Sequence, residues 1–273
     1  FGQKVIPGRR AGTLRHLPLL VKGGKYLPPL APVSALQAHA KPVSAPHAKM
    51  RVGVFIGCLI NYVYPDIVRA ALKLLKESDI EAVIPSSQVC CGTPVLAFGD
   101  RKSAQVLADR NLNAFREIDC DCIITLCASC GRMLRREYDR LSGTSDSAFG
   151  VPVLDVAEFL EKYAELDLEP QKDRVTYHDP CHLRWGQGVF EEPRKLLQRY
   201  AVFEELPGEM SCCGLAGAFH VLFPEMAEVI GQKKIASVLS ASSPKVITGC
   251  PGCMLQLNDL FARANCDKEP VHI

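Results

Sequence analysis

Residues 66–77 read DIVRAALKLLKE, and the apolar positions Ile67, Ala70, Ala71 and Leu74 recur at i, i+3, i+4 and i+7. That spacing puts one apolar stripe along a helix, so an amphipathic helix is predicted here. KSAQVLADRNLNAF (102–115) and EMAEVIGQKKIASVL (225–239) behave likewise. Around these segments stand short β-rich runs: RVGVFIG (51–57), ITL (124–126), RVTYH (174–178) and ITG (247–249). Strands alternating with helices imply βαβ units and parallel sheets.

The pattern occurs twice. RVGVFIGC (51–58) matches RVTYHDPC (174–181), and ITLCASC (124–130) matches ITGCPGC (247–253). The cysteines keep the same frame. Cys58 is followed after 31 residues by Cys90-Cys91, with Gly92 next, and 35 residues separate Cys91 from Cys127-x-x-Cys130. Cys181 is followed after 30 residues by Cys212-Cys213, with Gly214 next, and 36 residues separate Cys213 from Cys250-x-x-Cys253. The copies are offset by 123, 122 and 123 residues, and ten of thirteen cysteines obey the frame. The expected architecture is therefore α/β: two similar domains at 51–165 and 172–273. Copy one continues as VPVLDVAEFLEKY (151–163), whereas copy two stops at EPVHI. The second domain is accordingly expected to be truncated at its C-terminus, and the chain to be cut at both ends.

Composition narrows the class. The 273 residues are 48% hydrophobic, enough for a core without covalent staples. An odd, heavy cysteine count then reads as a reducing compartment with metal or redox sites. There is no signal-peptide pattern, and no run of about 18 apolar residues that would suggest a membrane span. Charge is unevenly placed. Residues 1–50 hold eight basic residues, no acidic ones and seven prolines, leaving 24 basic against 30 acidic residues in 51–273. Residues 1–50 read as an extended basic, Pro-rich arm or linker, available to an acidic partner or an anionic membrane surface. Nucleic acid is not expected as a partner, because the folded part is acidic.

Each copy draws five thiols from three places: a strand end, a Cys-Cys-Gly turn and a Cys-x-x-Cys turn. Strand C-terminal ends share one edge of a parallel sheet, where ligands bind. Neighbouring Cα atoms lie about 3.8 Å apart, too close for a relaxed disulfide between Cys90 and Cys91. Gly92 and Gly214 suit a positive-φ turn or a close backbone approach to a bulky group. Structural zinc takes four ligands, and a fifth thiol overshoots it. Spacing therefore favours an iron–sulfur cluster over zinc, with a dithiol redox site as a third option.

The two frames resemble the cysteine-rich (CCG) domains of heterodisulfide reductase. They also resemble the iron–sulfur subunits of glycolate oxidase and related lactate-oxidising complexes, especially in HDPCHLRWGQGV (178–189) and SCCGLAGAF (211–219). The resemblance covers about 51–273. It implies two tandem Rossmann-like domains and two non-cubane [4Fe-4S] clusters. One would be held by Cys58, Cys90, Cys91, Cys127 and Cys130, the other by Cys181, Cys212, Cys213, Cys250 and Cys253. It also implies a flavin-binding oxidase subunit as partner and a quinone or membrane-associated acceptor. The ferredoxin-like domain usual in the glycolate-oxidase group, with its Cys-x-x-Cys-x-x-Cys-x-x-x-Cys-Pro run, is missing here. No P-loop or Gly-x-Gly-x-x-Gly follows a strand, so no flavin or nucleotide is expected in this chain.

Three functions stay open at this point. The first is an electron-transfer subunit of a glycolate- or lactate-oxidising complex, cytoplasmic or peripheral at the inner membrane, without substrate chemistry of its own. The second is a disulfide reductase acting at paired clusters. The third is a zinc-stabilised interaction module. Among other candidates, Cys122 reads as a buried strand residue, and Cys120 and Cys266 lie outside the frame. His178, His182 and His220 flank the cysteines and are expected to pack behind them, while Arg184 and Trp185, which follow Cys181, are expected to have packing or surface roles rather than a part in electron transfer.

Overall fold

The computed structural model describes residues 4–5, 13–14, 28–39, 42–45, 47–144, 147–207, 211–215 and 217–273. Its core elements are eight strands in two sheets. The first sheet contains β1 (Met50–Phe55), β2 (Ile80–Val83), β3 (Cys122–Thr125) and β4 (Val153–Asp155). The second contains β5 (Arg174–Tyr177), β6 (Val202–Glu204), β7 (Lys245–Thr248) and β8 (Glu269–His272). Their orders are β2-β1-β3-β4 and β6-β5-β7-β8, and every pairing is parallel. The two sheets thus have one topology. In each, the chain reverses direction between the first and third strands, which opens a crevice beyond their C-terminal ends.

Burial follows from this layering. A parallel sheet is covered on both faces, so its central strands are apolar throughout rather than alternating. All four residues of β3 are buried, as are Val52, Val54 and Phe55 of β1. The helix Pro65–Glu77 starts with proline at its first position and Asp66 in its first turn, and both suit an N-terminus. It buries Val68, Ala71, Leu72 and Leu75. The period is the one the sequence implies, but the buried face is rotated by one position. Ala70 is exposed, because the larger Leu72 and Leu75 dictate which side faces the sheet.

Part of the basic N-terminal segment packs on the first sheet. Ser34 caps the short helix Ala35–Ala38, and Gln37 returns the bond in a capping box. Ala35 is fully buried, the Leu36 N–H donates to Asn61 Oδ1 at 2.9 Å, and Val43 bridges to Ala82 of β2. A segment unable to form a core can still cover one made elsewhere. Among the described residues, no helix is long and apolar enough to cross a membrane.

Candidate metal centre

In the first repeat the chain leaves β1 through Gly57 at φ +76° and starts a helix at Cys58. A Cβ at Gly57 would lie 2.9 Å from Cys130 Sγ, so glycine is what lets that sulfur approach. Cys90 and Cys91 precede Gly92, which turns at φ +89° into the helix Thr93–Ala97. Cys127 follows β3 and begins the helical turn that carries Cys130. The second repeat copies the placement, with Pro180 at φ −66° where the first has Gly57. Cys181 opens the helix Cys181–Gln187 after β5, Gly214 turns at φ +92°, and Cys250 precedes the helix Pro251–Arg263 that carries Cys253.

The ten frame cysteines form two crowded sets, and none of the chain's cysteines is in a disulfide. In the second set Cys181 Sγ lies 3.9 Å from Cys212 Sγ, and Cys213 Sγ lies 3.5 Å from Cys253 Sγ. Contacts of the same kind link Cys58 to Cys90 and Cys91 to Cys130. Hydrogen bonds from the Cys58 and Cys91 thiols, joined by the Gly92 N–H, hold Cys90 down to about 2. Cys212 is likewise held down to about 2 by Cys181, Cys213 and the Gly214 N–H. Cys58 and Cys181, the donors, are pushed far up. The Gly92 N–H lies 3.5 Å from Cys90 Sγ, and the Gly214 N–H 3.4 Å from Cys212 Sγ. So many sulfurs packed this closely can all be thiolates only around a multivalent cationic group, which fits a polynuclear centre.

The two sets meet. Cys127 and Cys250, at equivalent positions, contact each other through their side chains. Beside them the Ala128 N–H donates to the Gly249 carbonyl at 3.0 Å. The reciprocal bond is impossible because Pro251 has no N–H. His272 Nε2 instead donates to the Leu126 carbonyl at 2.8 Å. Gln187 Nε2 donates to the Ala128 carbonyl at 2.9 Å. Ser129 Oγ lies 2.9 Å from His182 Nδ1 and 3.6 Å from Cys250 Sγ. A cavity of about 360 Å³ opens here, lined by cysteines of both sets and by Leu59, Leu96, Met133 and Leu215.

The other candidates separate clearly. Cys122 is buried in β3, and Cys266 packs against the core of the second repeat. Cys120 is half-buried. Arg184 pairs with Asp179 at 3.5 Å and stacks on Trp185 and Phe190, while Trp185 is 71% exposed. His182 reaches Ser129 across the seam. His220 lies on the helix Ala218–Leu222. His178 is fully buried, and burial, with Lys234 nearby, lowers it to about 4. Its ring lies beside Cys213 and Cys253. Ser129 escapes a reading of the sequence, although its hydroxyl sits inside the first Cys-x-x-Cys turn. So does Lys234, which reads as a surface charge in GQKKIA but is 1% exposed.

The family described as Cysteine-rich domain (CCG) matches twice, at residues 52–135 and 175–258. An uncharacterised iron–sulfur protein of Methanocaldococcus jannaschii is 36% identical, over 96% of this chain and 48% of its own length. A fumarate reductase (CoM/CoB) subunit of Methanothermobacter marburgensis is 40% identical, over 77% of this chain and 42% of its own length. The probable glycolate oxidase iron-sulfur subunit of Bacillus subtilis is 34% identical, over 91% of this chain and 59% of its own length. This chain therefore spans about half the length of these relatives.

Proposed function

The chain belongs to the cysteine-rich domain (CCG) family, and from that premise we propose that it is the iron–sulfur electron-transfer part of a complex whose flavin-bearing subunit oxidises a 2-hydroxy acid such as glycolate or lactate. In this reading Cys58, Cys90, Cys91, Cys127 and Cys130 hold one non-cubane [4Fe-4S] cluster, and Cys181, Cys212, Cys213, Cys250 and Cys253 hold a second. When bound, such clusters accept and return single electrons. The chain's own residues set the conditions. The Gly92 and Gly214 amides donate to thiolate sulfur, the buried Cys91, Cys130, Cys213 and Cys253 exclude water, and the Ser129 hydroxyl reaches Cys250. The carrying observation is the meeting of the two sets at Cys127 and Cys250, which spares electrons a passage through solvent. A flavin-binding subunit, a ferredoxin-like domain and a quinone or membrane-associated acceptor complete the proposed complex, placed in the cytoplasm or peripherally at the inner membrane.

Anaerobic purification with iron, sulfide and zinc analysis and electron paramagnetic resonance tests this reading. Iron and acid-labile sulfide in two clusters per chain are expected. Zinc without sulfide would overturn it.

One observation favours a second reading, disulfide reduction at paired clusters: a single cavity is lined by both cysteine sets. The fumarate reductase (CoM/CoB) relative supports it weakly. Turnover of a disulfide by the isolated chain with a low-potential donor would select this reading over the first.

A further inference from the structure

The two cysteine sets share a frame but differ in what stands behind them. Shifting by 123 residues lays the helix Arg101–Arg116 on the helix Pro224–Ser240. Buried Ala104, Ala108, Leu112 and Phe115 then fall on buried Ala227, Gly231, Ile235 and Val238. In that register Asn111 falls on Lys234, and both are buried. Asn111 is a neutral amide in full use. It accepts from the Val89 N–H at 2.8 Å, and donates to the Cys90 carbonyl at 3.1 Å and Tyr138 Oη at 2.8 Å. The residue equivalent to Tyr138 is Phe261, so the hydroxyl is gone from the second repeat. In its place stands the buried amine of Lys234: burial pushes it down, and Cys213, Cys253, Asp179 and Cys212 act against that by favouring its charged form.

The strand before the first cysteine repeats the change. Phe55 of β1 corresponds to His178, just past β5. Both are fully buried, but His178 carries two ring nitrogens without hydrogen-bond partners among the described residues. One ligand atom of His178 and the sulfurs of Cys213 and Cys253 all lie within 4.8 Å of one another. A lysine is almost never fully buried unless paired with opposite charge, and the charges on hand are the sulfurs of Cys213, Cys253 and Cys212 and the carboxylate of Asp179, which Arg194 already grips.

Resting on the cluster reading above, we infer that the second cysteine set holds its centre at a higher reduction potential than the first, so that electrons collect there. One-electron reduction adds a negative charge to the centre. A cation and a nitrogen donor beside the sulfurs stabilise the reduced form and raise the potential. One electron leaves the first centre and enters the second, with no bond made or broken and no proton required.

Potentiometric titration followed by electron paramagnetic resonance, on the anaerobically purified full chain, tests this. In Cys91→Ser the remaining unperturbed signal belongs to the second set, and in Cys213→Ser to the first. The midpoint in Cys91→Ser is expected to lie above that in Cys213→Ser, and the reverse order or equality would overturn the inference. Lys234→Asn and His178→Phe, which introduce the residue types of the first repeat, should each lower only the second-set midpoint. An unmoved midpoint at full iron content in both variants would also overturn it. A wild-type preparation without acid-labile sulfide is a different outcome, because it removes the cluster reading itself.

Discussion

Gly214→Ala is expected to destabilise the protein more than its counterpart Gly92→Ala. Both glycines turn at nearly the same positive φ, +92° and +89°. An L side chain in that region costs on the order of 1–2 kcal/mol. At Gly92 that strain is the whole cost. The added methyl would lie 3.6 Å from Leu107 Cδ1 and Met133 Cε, which is ordinary contact. At Gly214 it would lie 2.7 Å from the Ala227 carbonyl oxygen and 3.0 Å from Gly231 N. Both atoms are backbone of the helix Pro224–Ser240, so the turn itself has to move. Overpacking of this kind adds about 1–3 kcal/mol. Gly92→Ala should therefore cost about 1–2 kcal/mol and Gly214→Ala about 2–5 kcal/mol. At about 2–4 °C per kcal/mol, thermal unfolding in reductant separates them. Displacing the turn also moves Cys212 and Cys213, so Gly214→Ala should lose iron from one set while Gly92→Ala keeps both. Equal unfolding temperatures and equal iron contents would refute the steric argument.

Three further expectations concern buried polar groups. Burial raises the Asp155 carboxyl to about 8 from an ordinary 3.8, so the folded chain holds a proton that the unfolded chain releases. Its contribution is present below about pH 4 and is lost as pH rises through 8. Asp155→Asn, which keeps an acceptor for the Ala157 N–H, should flatten that decline by up to about 6 kcal/mol, and parallel stability–pH curves would contradict it. Arg194 grips buried Asp179 at 2.9 and 2.6 Å, with Arg184 as a weaker second partner at 3.5 Å. Arg194→Ala should cost about 2–4 kcal/mol in urea unfolding, and a loss below about 0.5 kcal/mol would show the pair to be dispensable. Gln88 accepts from the Ile56 N–H at 2.8 Å and donates to the Val54 and Pro85 carbonyls at 3.1 and 3.0 Å. Gln88→Glu should cost about 1–3 kcal/mol because a carboxylate cannot donate, and an unchanged unfolding midpoint would count against this bridge.

Much of the site is legible in the sequence, because the cysteine frame is long, duplicated and tied to strand ends. The helix periods are legible too, although one face is off by a residue: Ala70 and Leu72 lie on nearly opposite sides of the helix, and only the sheet decides which is buried. The packing of residues 28–39 and 42–45 is not anticipated. Prolines and basic residues dominate that segment, yet Ser34-x-x-Gln37 is a readable capping signal. Lys234 is hidden for a physical reason. A charge between Lys233 and Ile235 reads as solvated until the repeat register places it opposite Asn111. Aligning the helices as well as the cysteines exposes it. The seam lies beyond sequence reading, since Ala128, Gln187, Gly249 and His272 meet only through tertiary contact.

Each set of five sulfurs comes from one repeat alone, while the seam needs both. During synthesis all five sulfurs of the first set are in the chain before Cys181 is added. Domains fold as units, N-terminal first, so on the cluster reading the first five sulfurs can take up their centre while the second half is still unmade. The contacts at Cys127, Ala128 and Ser129 then close late, over a neighbour already in place. On the cluster reading assembly thus acquires a direction, filling before docking, and an empty first half would offer its partner a crowd of unliganded thiols at the point where the halves must join.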